Sequence, residues 1–227
     1  MPPSVKASLI TAFDASFAAV MAELGLDQAP GYVTALSGGP DSTALALLTQ
    51  RYADAAGKHH HAVIVDHGVR DGSGNEAERV QTRLRRFGIA SDIIRVTEPR
   101  PTAGLQEWAR TKRHQVLLSA ARQKKAALLF AHHASDQAET VAMRLLKSSG
   151  LNGLGGIACH RMQHDVIVAR PVLGWMPDQL KAVCRHLDCD YEIDPSNQNH
   201  QFERVRIREF LADLDRQDRA SSDVALS

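Results

Sequence analysis

One short run of residues combines the features of an anion-binding loop: Ser37, Gly38, Gly39, Pro40, Asp41 and Ser42. Its glycines let the backbone approach a ligand closely, and the free N–H groups of a following helix attract negative charge. A carboxylate beside a phosphate group requires a cation between them, and Mg²⁺ is the usual one. The run therefore predicts a phosphate-binding loop in which Asp41 helps to hold Mg²⁺. The plainer alternative is a strand-to-helix turn that merely contains glycine.

Strands and helices alternate along the first part of the chain, and this alternation positions the loop. Apolar runs predict strands at Tyr32–Leu36, Ala62–Val65, Asp92–Val96 and Ala126–Ala131. Helical spacing predicts helices over residues 6–24, 42–55, Glu76–Phe87, Leu105–Lys125 and Asp136–Leu146. The pattern predicts an α/β fold of Rossmann-like type, with a mainly parallel sheet covered by helices on both faces. Ligands of such folds bind beyond the carboxyl ends of the strands, which brings three segments together: Ser37–Ser42, Asp66–Arg70 and His132–Asp136.

The pattern changes after residue 150. Val166–Ala169 predicts a strand that forms a hairpin with Ile157–Met162, and helices are expected at Pro177–Leu187 and about 203–215. His59–His61 predicts an exposed loop ahead of the second strand. We expect one domain over residues 1–215, with an alternating core at about 30–150, a distinct part at about 151–215, and a polar tail at 216–227.

Composition and charge narrow the class of protein. Of 227 residues, 44% are hydrophobic and 23% charged, which excludes a wholly disordered chain. Neither an apolar run of about 18 residues nor a signal-peptide pattern is present, so we expect no membrane span. Three cysteines are too few for a disulfide framework, which favours the cytoplasm. The net charge of +1 conceals a basic stretch at 95–125, with eight basic residues against two acidic ones, and an acidic stretch at 188–218.

Ordered motifs from about residue 30 to 212 resemble one family. The Ser37–Ser42 loop resembles the pyrophosphatase loop of N-type ATP pyrophosphatases, whose fold is that of the adenine nucleotide alpha hydrolases. The further motifs resemble the bacterial tRNA(Ile)-lysidine synthases: Val65–Arg70 with Glu76, Glu107-x-Ala109-Arg110-x-x-Arg113, Ala131–Thr140, Gly150–Leu154, Arg170-Pro171, Asp194–Asn197 and Arg204-x-x-x-Arg208. The resemblance implies ATP-dependent ligation of free L-lysine to C2 of the wobble cytidine of tRNA(Ile) with a CAU anticodon. The cytidine is first adenylated with release of pyrophosphate, and the lysine amine then displaces AMP to give lysidine.

The resemblance also implies roles for individual residues. Catalysis is expected from Asp41, His133, Asp136 and Glu139, with Asp41 and Asp136 holding Mg²⁺. Asp136 and Glu139 are three residues apart and share one helical face, which suits contacts to metal and lysine. ATP is expected to contact the loop residues together with Val65, Asp66, His67, Arg110 and Arg113. The tRNA-binding candidates are Lys112, Lys124, Lys147, Arg170, Arg204 and Arg208.

Several of these assignments have plainer alternatives. Glu139 would be favoured by the helix dipole alone if it lay in a first turn. His132 and His133 would serve equally well as a structural strand end. The basic helix 105–125 would also be explained as a solvated face.

The sequence departs from the family pattern at some positions. Ser135 stands where the family usually has Asp, Lys147-Ser148-Ser149 replaces Arg-Gly-Ser, and Val205 replaces Asn. The chain resembles the family's catalytic domain without the C-terminal domains that grip tRNA, as either a naturally short form or a fragment. A short form would hold tRNA through this domain alone or as a homodimer. These departures leave two alternatives open: a paralogue that binds nucleotide or tRNA without turnover, and another N-type ATP pyrophosphatase that modifies tRNA. A thiolase of that group would need a cysteine pair near ATP, whereas Cys184 and Cys189 lie beyond the signature motifs.

Overall fold

A computed structural model describes residues 3–68, 72–146 and 155–192, with residues 206, 207, 210, 211 and 213. The described strands are β1 (Gly31–Leu36), β2 (His59–Asp66), β3 (Ala90–Arg95), β4 (Ala127–Leu129), β5 (His160–Gln163) and β6 (Val166–Ala169). The described helices are α1 (Pro3–Glu23), α2 (Pro40–Ala56), α3 (Ser73–Arg85), α4 (Leu105–Gln123), α5 (Ala134–Leu146) and α6 (Pro177–His186), with a 3₁₀ turn at Leu26–Gln28.

The strands form one six-stranded sheet in the order β3-β2-β1-β4-β6-β5. All neighbouring pairs are parallel except β5 and β6, which form the expected antiparallel hairpin. The chain winds outward from β1 through β2 to β3 and then crosses to β4 on the other side of β1. The strand order therefore reverses between β1 and β4, and in open α/β sheets ligands bind at the carboxyl edge at such a reversal. The mainly parallel α/β fold predicted from the sequence is confirmed.

Two apolar layers cover opposite faces of the sheet. One contains Tyr32 and Leu36 of β1 and is packed by α1, α2, α3 and α6. The other contains Val33 of β1 and is packed by Leu117 and Ala121 of α4. Alternate residues of β1 thus enter different layers, as the two-residue period of a strand requires. A strand buried on both faces is held rigidly, so the loop that follows β1 starts from a fixed point.

The boundaries differ from the sequence prediction mainly at β2. His59, His60 and His61 lie within this strand and pair with Gly31, Tyr32 and Val33, so the prediction of an exposed loop there was wrong. His60 is only 7% exposed, because it packs on the same side of the sheet as α2. The helices predicted at Pro177–Leu187 and Leu105–Lys125 are present within one or two residues at either end.

The chain divides into two compact units. The first comprises the described residues up to His133 and from Cys159 to Glu192, and it contains the whole sheet. The second comprises α5, the described residues up to Ala158, and those from Arg206 onward. Among the helices that the structure describes, none is long and apolar enough to cross a membrane.

Candidate functional site

The loop after β1 is shaped by hydrogen bonds among its own residues. The Ser42 hydroxyl accepts from the backbone N–H of Ser37 at 3.2 Å and donates to the carbonyl of Gly39 at 3.2 Å. It also lies 3.0 Å from the hydroxyl oxygen of Ser37. The Gly39 carbonyl then accepts the N–H of Thr43 at 3.0 Å, which closes the first turn of α2. Ser42 therefore supports the shape of the loop.

The start of α2 is arranged as an anion site. Gly39 occupies the N-cap position without a side-chain cap, and Pro40 occupies the first turn. The first N–H groups of a helix have no acceptor within it, and they carry the positive end of its dipole. A side chain at Gly39 would meet only Ser37 Oγ, at 3.7 Å, so the space beside this residue is open. Backbone donors, positive potential and open space coincide here, as a phosphate group requires.

Gly38 is the position in this loop that must be glycine. Its φ is +87°, in the left-handed region that residues with a Cβ adopt only under strain. A Cβ there would come within 2.8 Å of Val80 Cγ2 on α3. Both the backbone conformation and the close contact with α3 explain the glycine that the sequence motif requires.

Asp41 and His133 meet at the reversal between β1 and β4. Asp41 lies in the first turn of α2, and His133 follows β4. Asp41 Oδ2 is 3.6 Å from His133 Nε2, and His133 is buried, with 8% of its surface exposed. The structure thus brings together a carboxylate and an imidazole that the sequence had predicted separately. A base within reach of the same space as the phosphate loop is suited to moving a proton there.

The donor set fits Mg²⁺ bound together with a nucleotide. Among the described residues, no group of three or more histidine, cysteine or carboxylate side chains would hold a metal ion by itself. Mg²⁺ in phosphate sites usually takes one or two protein carboxylates, phosphate oxygens and water. Asp41, in the first turn of α2, would supply such a carboxylate.

The turn after β2 is held by Asp66. The Asp66 carboxylate accepts from the N–H of Gly68 at 2.8 Å and from the hydroxyl of Ser73 at 2.7 Å. Its side chain is 8% exposed, which leaves little of it for a ligand. Asp66 therefore positions the backbone of Val65 and His67, both predicted to contact ATP, more directly than it offers its own oxygens. Arg100 reinforces this turn by donating to the Gly68 carbonyl.

His67 lies between α4 and the turn. Its Nε2 accepts from Arg113 Nε at 3.4 Å, and its ring lies edge-on to Trp108 with centroids 6.4 Å apart. Burial, and then the positive charge of Arg113, lower the pKa of His67. The pKa of Arg113 is itself lowered by desolvation and by Arg110, although the guanidinium stays charged. His67 is therefore a neutral acceptor beside Arg113, which itself lies near Arg110, so positive charge is concentrated here.

Arg170 follows β6 at the same edge of the sheet. Its guanidinium carbon lies 5.9 Å from the ring centroid of Phe130, and His114 stacks on that ring at 5.8 Å. His114 Nε2 is 2.8 Å from Gln163 Oε1, which ties the stack to β5. Burial and the neighbouring Arg161 lower the pKa of Arg170. Arg170 thus adds a further, rigidly held positive charge near the ends of the central strands.

The remaining predicted catalytic residues lie in the second unit, on α5. Asp136 is in the first turn of α5. Glu139 is in the second turn and is 1% exposed, so attraction to the helix dipole does not account for it. A carboxylate is rarely buried unless it is paired, which keeps Glu139 a functional candidate. The roles of Asp136 and Glu139 remain predictions.

Gln137, whose role the sequence did not suggest, anchors the segment after α5. Its Oε1 accepts from the N–H of Ile157 at 2.6 Å, and its Nε2 donates to the carbonyl of Ile157 at 3.4 Å. Arg144 Nη1 donates to the Gly156 carbonyl at 2.8 Å. Two side chains of α5 therefore fix residues 156 and 157. The only signal in the sequence was the place of Gln137 inside the matched motif.

The basic side chains predicted to bind tRNA are placed differently from one another. Lys112 pairs with Glu98 at 2.9 Å, and Lys124 lies 3.5 Å from Asp92. Lys124 ends α4 and therefore lies at the amino edge of the sheet, opposite the phosphate loop. Three further candidates, Lys147, Arg204 and Arg208, lie outside the residues that the structure describes.

The cysteines do not form a reactive pair. Cys184 and Cys189 are buried, and Cys184 Sγ lies 3.5 Å from the Pro40 carbonyl, which accepts from it. Burial raises the pKa of Cys184 to about 12 and that of Cys189 to about 11. Thiols that stay protonated at neutral pH are poor nucleophiles, so neither is suited to sulfur transfer.

A comparison with protein families identifies the same region. A family model described as a PP-loop domain matches residues 9–214. The tRNA(Ile)-lysidine synthase of Methylobacterium nodulans is 41% identical over 192 residues, covering 84% of this chain and 56% of that protein. The enzyme of Novosphingobium aromaticivorans is 39% identical over 191 residues, covering 82% of this chain and 57% of that protein. The chain therefore spans little more than half the length of these curated relatives.

Solved structures share the fold at lower identity. The U34-tRNA thiolase NcsA from Methanococcus maripaludis superposes with a TM-score of 0.75 at 18% identity, covering 92% of this chain and 74% of that chain. The NH₃-dependent NAD synthetase from Campylobacter jejuni superposes with a TM-score of 0.54 at 17% identity, covering 96% and 86%. At these identities the likeness concerns the fold alone.

Proposed function

The chain belongs to the PP-loop domain family, and from this premise we propose that it provides the ATP-using catalytic part of a tRNA(Ile)-lysidine synthase. The observation that carries the proposal is the coincidence of two facts. The chain is about 40% identical to lysidine synthases over its matched length. Its phosphate loop also lies, with Asp41 and His133, at the point where the strand order reverses.

The proposed reaction has two steps. The C2 carbonyl oxygen of the wobble cytidine attacks the α-phosphorus of ATP, and pyrophosphate leaves. The amine of free lysine then forms a bond to C2, and AMP departs with the carbonyl oxygen. The ammonium group of lysine must lose a proton to become nucleophilic, so a base is needed at the site.

The phosphate loop supports the first step. The N–H groups at the start of α2 bind the triphosphate of ATP, and Gly39 leaves room for its close approach. The backbone of the turn that Asp66 holds after β2 binds adenine beside His67. Arg110 and Arg113 neutralise negative charge that develops as pyrophosphate leaves. Mg²⁺ held by Asp41 would supply further charge neutralisation when it is bound.

The second step requires lysine to be bound and deprotonated. His133 is the proposed acceptor of the lysine proton, because it is buried and adjoins the phosphate loop through Asp41. Asp136 and Glu139 are the proposed carboxylates for the lysine ammonium group and for the metal. Arg170 and Lys112 are proposed to contact the phosphates of tRNA.

The test measures lysine incorporation directly. The chain is incubated with ATP, Mg²⁺, labelled lysine and tRNA(Ile) with a CAU anticodon, and AMP release is measured in parallel. We expect incorporation equal to AMP formed, and none into methionine tRNA, which shares the CAU anticodon. Retained ATP binding without incorporation would instead favour a non-catalytic paralogue. AMP formation that depends on tRNA and a sulfur donor, but not on lysine, would favour a thiolase.

A further inference from the structure

The carbonyl of Gly38 accepts two hydrogen bonds, one from a residue close in sequence and one from a residue far along the chain. The backbone N–H of Glu192 donates to it at 2.9 Å, and the hydroxyl of Thr43 donates at 3.4 Å. Glu192 belongs to the segment after α6, more than a hundred residues from the loop. This bond therefore joins the phosphate loop to a remote part of the first unit.

This bond fixes the direction of the next N–H group. The carbonyl of Gly38 and the N–H of Gly39 belong to one planar trans peptide and point in opposite directions. When the carbonyl is turned toward Glu192, the N–H of Gly39 is turned away from it. A peptide beside a glycine at positive φ rotates easily, because no side chain restricts it. A hydrogen bond to the carbonyl is thus an effective way to set the Gly39 N–H.

The side chain of Glu192 is in turn fixed by α3. Its Oε1 accepts from Arg83 Nη2 at 2.8 Å, and its Oε2 lies 3.7 Å from Arg79 Nη2. Arg79 and Arg83 are one helical turn apart, and Val80 between them is the side chain that a Cβ at Gly38 would meet. The hydrogen bond from Arg83 lowers the pKa of Glu192, so the carboxylate is ionised at neutral pH. One face of α3 therefore supports both the loop and the residue that holds its carbonyl.

We propose that Glu192 is a positioning residue for the phosphate loop. Its carboxylate, held by Arg83, keeps its backbone N–H on the Gly38 carbonyl and the Gly39 N–H available to a phosphate group. The inference rests on the proposed binding of ATP phosphates by this loop. The competing explanation is an ordinary ion pair that stabilises the first unit and has no effect on the ligand.

The test compares ligands that differ in their phosphate groups. Calorimetric titrations of the 227-residue chain use ATP, inorganic pyrophosphate and adenosine, each with Mg²⁺. We expect Glu192→Gln and Arg83→Gln to weaken ATP and pyrophosphate binding about tenfold, the equivalent of one charge-assisted hydrogen bond. Adenosine affinity should change less than about twofold, because adenosine has no phosphate. Arg85→Gln is the matched control and should bind like the wild type, since Arg85 lies on the same helix but donates to Gln81 at 3.2 Å.

Two further variants separate positioning from stability. Glu192→Asp keeps the charge and should recover part of the pyrophosphate affinity. The double variant Arg83→Glu/Glu192→Arg, which reverses the ion pair, should bind pyrophosphate more tightly than either Arg83→Glu or Glu192→Arg alone. Unchanged pyrophosphate affinity in Glu192→Gln, an equal loss for adenosine, or a wild type that binds neither ATP nor pyrophosphate would overturn the inference. None of these titrations involves tRNA or lysine, so a chain that binds ATP but forms no lysidine would defeat only the proposed ligation.

Discussion

The two edges of the central sheet both carry histidines, but in different surroundings. At the amino edge, His59, His60 and His61 begin β2. At the carboxyl edge, His67 follows β2 and His133 follows β4. The sequence alone suggested the second group for chemistry and misjudged the first, so the comparison shows what separates a structural histidine from a functional one.

At the amino edge each histidine has a fixed partner. His60 Nε2 is 2.9 Å from Thr34 Oγ1, and its Nδ1 is 3.0 Å from Gln50 Oε1. His61 Nε2 lies 2.7 Å from Asp92, and His59 Nε2 lies 3.1 Å from the carbonyl of Lys124. The ring of His59 also fills the space that a side chain at Gly31 would need. These rings connect strands and helices.

At the carboxyl edge the rings adjoin charged groups. His133 faces Asp41, and His67 faces Arg113. Asp41 and Arg113 carry charges that an anion or a metal ion would attract or oppose, whereas Thr34 and Gln50 are neutral. A histidine between two neutral hydrogen-bonding side chains therefore serves stability. One that shares its surroundings with a carboxylate and a helix start, as His133 does, is the stronger candidate for contact with a ligand.

Removing the carboxylate of Asp41 should have the largest effect on activity, and that effect should arise at the carboxyl edge alone. We expect Asp41→Asn to lower ATP-dependent AMP formation by roughly a hundredfold to a thousandfold, because charge neutralisation of the phosphates is lost. The melting temperature should stay close to that of the wild type. Asp14→Asn, which breaks an exposed pair with Arg51, is the control and should retain activity. Full activity of Asp41→Asn would refute its role.

Two glycines, one beside each end of α2, offer a second way to compare the functional carboxyl edge with the structural amino edge. Gly38 and Gly57 both have positive φ, at +87° and +64°, but only Gly38 is crowded. Alanine at either position should cost about 1–2 kcal/mol of folding free energy through backbone strain. Gly38→Ala should in addition displace the loop against Val80 and weaken ATP binding by at least about tenfold. Gly57→Ala should bind ATP normally, and equal ATP affinity in both variants would contradict the assignment of the loop.

The fold was largely predictable because local patterns determine it. Apolar runs at β1 and β4, and helical spacing in α2 and α4, are readable within short windows. The phosphate loop was predictable for the same reason, since its glycines, its carboxylate and its flanking strand and helix are contiguous. His59–His61 was misread because a polar run resembles a loop until Thr34 and Gln50 are known to face it.

The parts of the site that escaped prediction depend on long-range contacts. Nothing near Glu192 in the sequence indicates that its N–H meets Gly38 or that Arg83 holds its carboxylate. Asp66 was assigned to ATP from its motif, yet Ser73 and Gly68 both donate to its Oδ1, and its side chain is only 8% exposed. A motif shows which residue types are present, but their hydrogen-bond partners are known only once the chain is folded.

His60 makes the amino edge sensitive to acid. Burial is the main cause that lowers the pKa of His60 to about 3, well below its unfolded value. Below about pH 6.5 this imidazole is protonated in the unfolded chain but stays neutral in the folded chain. The free energy of unfolding therefore decreases as the pH is lowered. Lowering the pH from 7 to 5 should reduce the free energy of unfolding by about 2 kcal/mol through His60 alone. Chemical denaturation should show this slope reduced in His60→Gln and retained in Thr34→Val, which leaves the imidazole buried; an unchanged slope in His60→Gln would exclude His60 as its source.

The smallest expected effects concern the basic residues of α4, and they test how far the distinction between edges extends to tRNA. Lys112 lies in the first half of α4, toward the carboxyl edge, whereas Lys124 ends the helix at the amino edge. Lys112 is paired with Glu98, whose pKa its ammonium group lowers, so its attraction for a phosphate is already partly offset. We expect Lys112→Ala to weaken tRNA binding about threefold and to reduce the salt dependence by less than one counterion. Lys124→Ala should leave the tRNA affinity and its salt dependence unchanged, and Glu98→Gln should strengthen tRNA binding. A larger loss of tRNA affinity from Lys124→Ala than from Lys112→Ala would place the tRNA at the amino edge instead.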